Sequence, residues 1–331
     1  MSVLTYINIA KRVYKEIRTQ KKFNKNFLVP YLDELEQRHN GIFEPEQRGK
    51  ILKYYGLFIT SFLCSSYKRL YGDTLTTDER KRATLFGILT PVGDDLFDID
   101  KLPIDDIRVI TYTPKQYNAR TFSAGVATEI QTYLLEHVPH KKEYLEASKN
   151  VLDIQVETVK QTKPTITKQD IQRITYTKGA VSVIIYHQCL DVAASLQMLD
   201  VLFYVGSLYQ LGNDIFDLYK DVRDNIYTLV NTCDDFLAFR NMFVERVKAQ
   251  NRRIMSLPYK EKDKKEFCII MNTINARSMV AIDQFLRLQK KMGNKKIDWW
   301  QLERKDMIVD MEKKGNIISW IRYTRMLPKW L

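Results

Sequence analysis

Two short acidic segments carry the residues best suited to chemistry. One is Gly93-Asp94-Asp95-Leu96-Phe97-Asp98-Ile99-Asp100; the other runs Gln210-Leu211-Gly212-Asn213-Asp214-Ile215-Phe216-Asp217-Leu218-Tyr219-Lys220-Asp221. In the second, a helical rotation of about 100° per residue puts Asn213, Asp217 and Asp221 within roughly 80° on one face. That face offers three oxygen donors over two turns. Asp217 and Asp221 repel each other at i,i+4, and they sit beside Ile215, Phe216 and Leu218. A hard divalent cation would compensate that charge, and Lys220 adds a positive group able to reach an anion shared with the metal. The first segment repeats the spacing in Asp94 and Asp98, with Asp95 beside them. Leu96 and Phe97 set it apart from a solvated acidic loop. Two such helical segments, more than a hundred residues apart, suit facing walls of one cavity. There, two or three Mg²⁺ ions would clamp a diphosphate, since Mg²⁺ prefers one or two carboxylates plus substrate phosphate and water.

The elements that must position these residues read as helices. Ile7, Ala10, Val13, Tyr14 and Ile17 recur at three- and four-residue intervals, as do Ile130, Leu134 and Val138, and Phe236, Phe239, Phe243 and Val247. Ile107 to Thr113 is the one stretch that reads as either extended or helical. Ala180 to Leu211 carries too many polar groups for a membrane span and reads as a buried helix or a broken pair. Breaks fall at Asn40-Gly41, at Tyr71 to Asp78 with a helix start at Thr77 or Asp78, at Leu102-Pro103, and at Lys163-Pro164 with a start at Thr167 or Lys168. Leu257-Pro258 precedes a charged stretch, Tyr259 to Phe267, that reads as a surface loop. No repeat or composition shift marks a second domain, so residues 1–331 are expected to form one all-α bundle of roughly ten helices.

Composition agrees. Of 331 residues 45% are hydrophobic, enough for a large core, while 12 Gly and 9 Pro are few for a turn-rich β-sandwich. Cys64, Cys189, Cys233 and Cys268 are scattered without a CxxC pair, which argues against a zinc ribbon or disulfide framework and for buried thiols in a reducing cytosol. The first residues lack an apolar core before a cleavage site, so no signal peptide is expected. The net charge of +12 is spread among acidic neighbours. No zinc finger, basic zipper or RNP-like motif accompanies it, so nucleic acid is not the expected partner.

These motifs resemble those of class I isoprenoid (terpenoid) synthases. Asp94-Asp95-Leu96-Phe97-Asp98 resembles their DDxxD motif. Asn213 to Asp221 is similar to the Asn-Asp-x-x-Ser-x-x-x-Glu motif of terpene cyclases, with Asp217 in place of Ser and Asp221 in place of Glu. The same segment also resembles the second DDxxD motif of chain-elongating prenyltransferases, and Gln210 to Asn213 is similar to the QLxN run of squalene and phytoene synthases. The resemblance implies an all-α fold with a central active-site cavity, and metal ligands at Asp94, Asp95, Asp98, Asn213, Asp217 and Asp221. Thr177-Lys178-Gly179 looks like the helix break where these enzymes place a diphosphate-binding cation. Arg322-Tyr323 resembles the Arg-Tyr pair that closes over diphosphate. The paired arginines of elongating prenyltransferases and the DxDD motif of protonating cyclases are both missing.

The activity this implies is Mg²⁺-dependent ionisation of a prenyl diphosphate (Mn²⁺ being an alternative cofactor), followed by cyclisation or quenching of the carbocation. Lys178, Lys220 and Arg322 would stabilise the departing diphosphate, with Tyr323 beside them. Phe97, Tyr186, Phe203, Tyr204, Tyr209 and Phe216 are aromatics available to steady a cation. The alternatives are a prenyltransferase joining two isoprenoid units and a non-catalytic anion-binding protein. The C-terminal Trp320 to Leu331 mixes aromatics with cations and reads as a lid or a membrane contact. The expected location is cytoplasmic, with peripheral contact at the inner membrane surface left open, as is a homodimer.

Overall fold

The computed structural model describes residues 3–331, and among them there is no β-strand. In chain order the helices are α1 (Val3–Phe23), α2 (Val29–Arg38), α3 (Pro45–Lys50), α4 (Ser65–Leu70), α5 (Thr77–Asp98), α6 (Ile104–Tyr112), α7 (Phe122–His137) and α8 (Lys141–Thr158). They continue as α9 (Lys168–Gln188), α10 (Leu196–Phe216), α11 (Leu218–Arg223), α12 (Phe236–Ser256), α13 (Glu261–Lys291), α14 (Arg304–Met307) and α15 (Lys314–Met326). The chain folds as two compact units, Met1–Lys149 with Ile185–Ala193, and Asn150–Ile184 with Ala194–Leu331.

In the first unit, wide π-helical turns join α1 to α2 (Asn24–Leu28) and α3 to α4 (Ile51–Cys64). The long π stretch leaves backbone carbonyls for side chains of α1 and its continuation. Gln20 donates to the Gly56 carbonyl (2.7 Å) and to Thr84 (3.0 Å), and Asn24 donates to the Leu52 carbonyl (3.3 Å). Arg80 of α5 then donates to Gln20 (2.7 Å) and to Glu16 (3.1 Å). The inward face of α1 is therefore polar: its buried residues are Ile9, Glu16 and Gln20. Ile7, Ala10 and Tyr14 face solvent, because the buried hydrogen-bond network, not the apolar stripe, sets the rotation of the helix.

Helix α5 starts where the sequence indicates. Thr76 accepts from the Glu79 amide (3.1 Å), and Glu79 accepts from the Thr76 amide (2.9 Å), a reciprocal capping box. Buried Glu79 also pairs with Lys68 (3.0 Å) and accepts from the Asp191 amide (2.9 Å). Pro103 precedes α6, so Ile107 to Tyr112 are helical and not extended.

In the second unit, α10, α12 and α13 pack on one another around Phe236, Phe285 and Trp299. These rings meet edge to face at centroid distances of 5.2–5.8 Å. Glycines bring helices unusually close. A Cβ on Gly179 would lie 2.0 Å from the Gly206 carbonyl oxygen, and one on Gly206 would lie 2.2 Å from that of Gly179. Helices α9 and α10 therefore touch backbone to backbone. The region from Ala180 to Leu211 is a broken pair, α9 ending at Gln188 and α10 starting after the Ser195 cap. The charged stretch expected to be a loop is mostly helical: α13 starts at Glu261, with Glu261 and Asp263 in its first turn, where they complement the helix dipole. No helix among the described residues is long and apolar enough to cross a membrane.

Candidate metal and diphosphate site

The acidic segment of the second unit spans a helix break. Helix α10 ends at Phe216, Asp217 has φ −89° and ψ 4°, and α11 starts at Leu218. The break is mild, since the Asp217 amide still donates to the Asn213 carbonyl (2.8 Å) and the Asp221 amide to that of Asp217 (2.9 Å). Core packing fixes which face turns inward. Leu211, Ile215, Leu218 and Val222 form the buried stripe, and Asp214, Asp217 and Asp221 each immediately precede one of its members. Asn213 is consequently exposed, donating to Asp217 (3.1 Å), whereas Asp214 is buried. Asp214 and Asp221 are buried and Asp217 is half-buried, sharing its face with Asn213 through that bond.

Asp214 accepts from Gln210 (2.8 Å) and from Thr175 of α9 (3.3 Å). Burial raises its carboxyl to about 6, with Asp217 adding to the rise while Gln210, Lys178 and Thr175 oppose it. Asp221 is 9% exposed, and among the described residues its carboxylate makes no hydrogen bond. Burial, then the charges of Asp214 and Asp217, push it up to about 8 against the pull of Lys220 and Lys178. The cluster is thus short of positive charge. Asp94 to Asp98 and Asp214 fall in the last turns of α5 and α10, where the macrodipole is negative and favours a cation, whereas Asp217 and Asp221 open α11.

Lys178 is half-buried within an unbroken α9. The helix break expected at Thr177-Lys178-Gly179 is absent, and Gly179 instead serves the close approach to Gly206. Lys178 still acts on the acidic cluster, lowering both Asp214 and Asp221, and exposed Lys220 does so for Asp221. At the C-terminus, Tyr323 donates to Asp283 (2.5 Å) and accepts from Arg240 (3.1 Å), while Arg240 also pairs with Asp283 (2.9 Å). This network ties α15 to α12 and α13. Arg322 beside it is exposed.

In the first unit, Asp94 and Asp98 are exposed in the last turns of α5. Asp95 is half-buried and accepts a hydrogen bond from Gln47. Burial raises the Asp95 carboxyl, helped by Asp100 and Asp98 and opposed by Gln47.

Among the described residues no three His, Cys, Asp or Glu side chains converge as a ready-made metal cage. The donor set nevertheless suits a hard cation that brings phosphate and water as further ligands. It consists of neighbouring aspartate carboxyls, one of which, Asp221, is held protonated near neutral pH and would give up that proton to a cation.

The sequence reading missed Asp214, Thr175 and Gln210. The signal was present: the aspartates at 214, 217 and 221 keep step with the apolar residues at 215, 218 and 222. It also missed Arg246 of α12. That guanidinium lies 3.6 Å from the Tyr176 ring centroid, 4.7 Å from that of Tyr204 and 5.6 Å from that of Phe203, and donates to Ser207 (2.6 Å). Burial lowers its pKa. Arg277 lies over Phe216 at 4.8 Å. Three of the aromatics proposed to steady a carbocation therefore already lie against an arginine.

No family model matches the chain, and no curated protein shows significant sequence similarity to it.

Proposed function

We propose that the chain is a Mg²⁺-dependent terpene synthase, ionising one prenyl diphosphate, releasing diphosphate and cyclising or quenching the carbocation. The observation that carries this reading is Asp221, a carboxyl only 9% exposed that burial and the charges of Asp214 and Asp217 push up to about 8. Clustered acids with little access to water repel one another, and positive charge relieves them. A divalent cation answers that need, and Mn²⁺ fits the same oxygen set. Asp221 and one aspartate beside it, Asp214 or Asp217, would hold it, with substrate phosphate and water as further ligands; once bound, it would supply Lewis-acid stabilisation of the negative charge on departing diphosphate.

The remaining roles belong to the chain itself. Thr175 and Gln210 orient the Asp214 carboxylate. Lys178 and Lys220 place positive charge where the leaving group's charge develops, and exposed Arg322 is a further cation for the same anion. Heterolysis of the substrate's C–O bond leaves the electron pair on diphosphate and the positive charge on the allylic carbon.

The test is diphosphate release from geranyl, farnesyl and geranylgeranyl diphosphates, each alone with Mg²⁺, with products extracted for mass spectrometry. Wild type should release diphosphate from one of them, Asp221→Asn should lose about a hundredfold or more of that rate, and Asp94→Asn tests the other acidic helix end. Release only when a second isoprenoid substrate is added would replace this reading with a coupling prenyltransferase. No release from any substrate or pair would replace it with a non-catalytic anion-binding role.

A further inference from the structure

The outward face of α1 has no counterpart in the proposed chemistry. Val3 is 61% exposed, Leu4 64%, Ile7 45% and Tyr14 62%. At about 100° per residue, Val3, Ile7, Ala10 and Tyr14 fall in a strip about 60° wide. The helix turns this apolar strip to solvent while burying Glu16 and Gln20. A fold that spends its polar residues inside and leaves its apolar stripe outside departs from local consistency, and such departures mark function.

The charges beside the stripe identify its partner. Lys11, Lys15, Arg18 and Lys22 are exposed and occupy the adjoining strip, with Arg18 lying 6.0 Å from the Tyr14 ring centroid. The only acidic residue of α1 is Glu16. It is turned inward, 3.1 Å from Arg80 and 3.6 Å from Arg69. The exposed side of α1 is therefore apolar and cationic, with no acid of its own. An interfacial helix has this composition: apolar side chains enter the acyl boundary while lysines reach up to anionic headgroups.

We infer that α1 docks the protein on an anionic lipid surface, lying in the plane of the interface with Val3, Ile7 and Tyr14 inserted. The inference does not depend on the proposed enzymatic reaction.

The test is co-sedimentation of the full chain with vesicles of phosphatidylcholine alone and of phosphatidylcholine with phosphatidylserine. Wild type should bind the anionic vesicles at least tenfold more tightly than the neutral ones, by an amount that shrinks as salt rises. Ile7→Glu/Tyr14→Glu should reduce that binding at least tenfold. Lys11→Gln/Lys15→Gln/Lys22→Gln should remove the preference for anionic lipid, since each cation near the surface is worth about fivefold. All five positions are exposed, and circular dichroism checks that both variants stay folded. Three results would overturn the inference: no binding by wild type, binding that both variants retain, or a wild-type dimer that the Ile7/Tyr14 variant dissociates. The second would move the contact to another face, such as Ile317, Ile318 and Ile321 of α15, and the third would make a second copy the occupant.

Discussion

Asp221→Asn should make the metal-free protein more stable, not less. In the native state burial and two neighbouring aspartates hold this carboxyl at about 8, against a usual value near 3.8. Because the folded pKa is raised, the native state binds the extra proton. The stability this group contributes is fully present below about pH 4 and is lost as pH rises through 8. At pH 7 the penalty is on the order of 4 kcal/mol, from about 1.4 kcal/mol per pH unit over roughly three units. Coupling shares it among the three acids, and the replacement amide must itself be buried, which returns about 1–3 kcal/mol. The net expected gain is about 1–3 kcal/mol. Urea unfolding followed by circular dichroism at pH 5, 7 and 8, in EDTA and again with Mg²⁺, measures it. The variant midpoint should exceed wild type by about 0.5–1 M at pH 8, and the two should converge toward pH 5. Mg²⁺ should raise the wild-type midpoint at pH 8 and leave the variant unmoved. A variant less stable than wild type at pH 8 without metal, or two curves parallel in pH, would refute the reasoning.

Three further outcomes are expected of residues outside this cluster. His187 is fully buried with its Nε2 2.6 Å from the Tyr71 hydroxyl, and burial lowers its pKa to about 4. Its stabilising contribution is present above pH 6.5 and lost as pH falls toward 4, by up to about 3 kcal/mol; His187→Gln, assayed by the same urea titration between pH 7 and 4, should flatten that decline. Gly179→Ala drives a Cβ against the Gly206 carbonyl at 2.0 Å and should destabilise by about 2 kcal/mol or more, whereas Gly49→Ala, with open space around its Cβ, should be neutral or stabilising by up to about 1 kcal/mol, as thermal melts will show. Tyr323→Phe breaks the hydroxyl's bonds to Asp283 and Arg240 and should lower stability by about 1–2 kcal/mol in urea titrations.

Much of the architecture was legible in the chain. The helix-forming period, the Thr76 cap of α5 and the start of α9 after Thr167 depend on neighbours within a turn, and local rules read them correctly. What was misread depends on distant partners. That Asp214 is buried and bonded to Thr175 depends on α9, where that threonine lies more than thirty residues away in sequence. Gly179 reads as a helix breaker until Gly206 is seen opposite it. The period at Ile7, Ala10 and Tyr14 reads as a helix, but which of its faces is buried depends on the carbonyls of the π-helical stretch that hold Gln20 and Asn24. The charged run from Tyr259 reads as a loop because its first-turn acids resemble a solvated surface, although acids at that position also open a helix. The acidic motifs themselves were visible as residue types at fixed spacing, but the burial that gives Asp221 its altered chemistry was not.

The central claim is that the buried acids of α10 and α11 hold a divalent cation, and titration calorimetry of Mg²⁺ into the protein tests it most directly. Run at pH 7 in two buffers of different ionisation enthalpy, with a non-hydrolysable prenyl diphosphate analogue present, it counts protons released on binding. Wild type should bind Mg²⁺ and release close to one proton, and Asp221→Asn should bind more weakly and release none. Binding without proton release, or equal binding and release by the variant, would contradict the account.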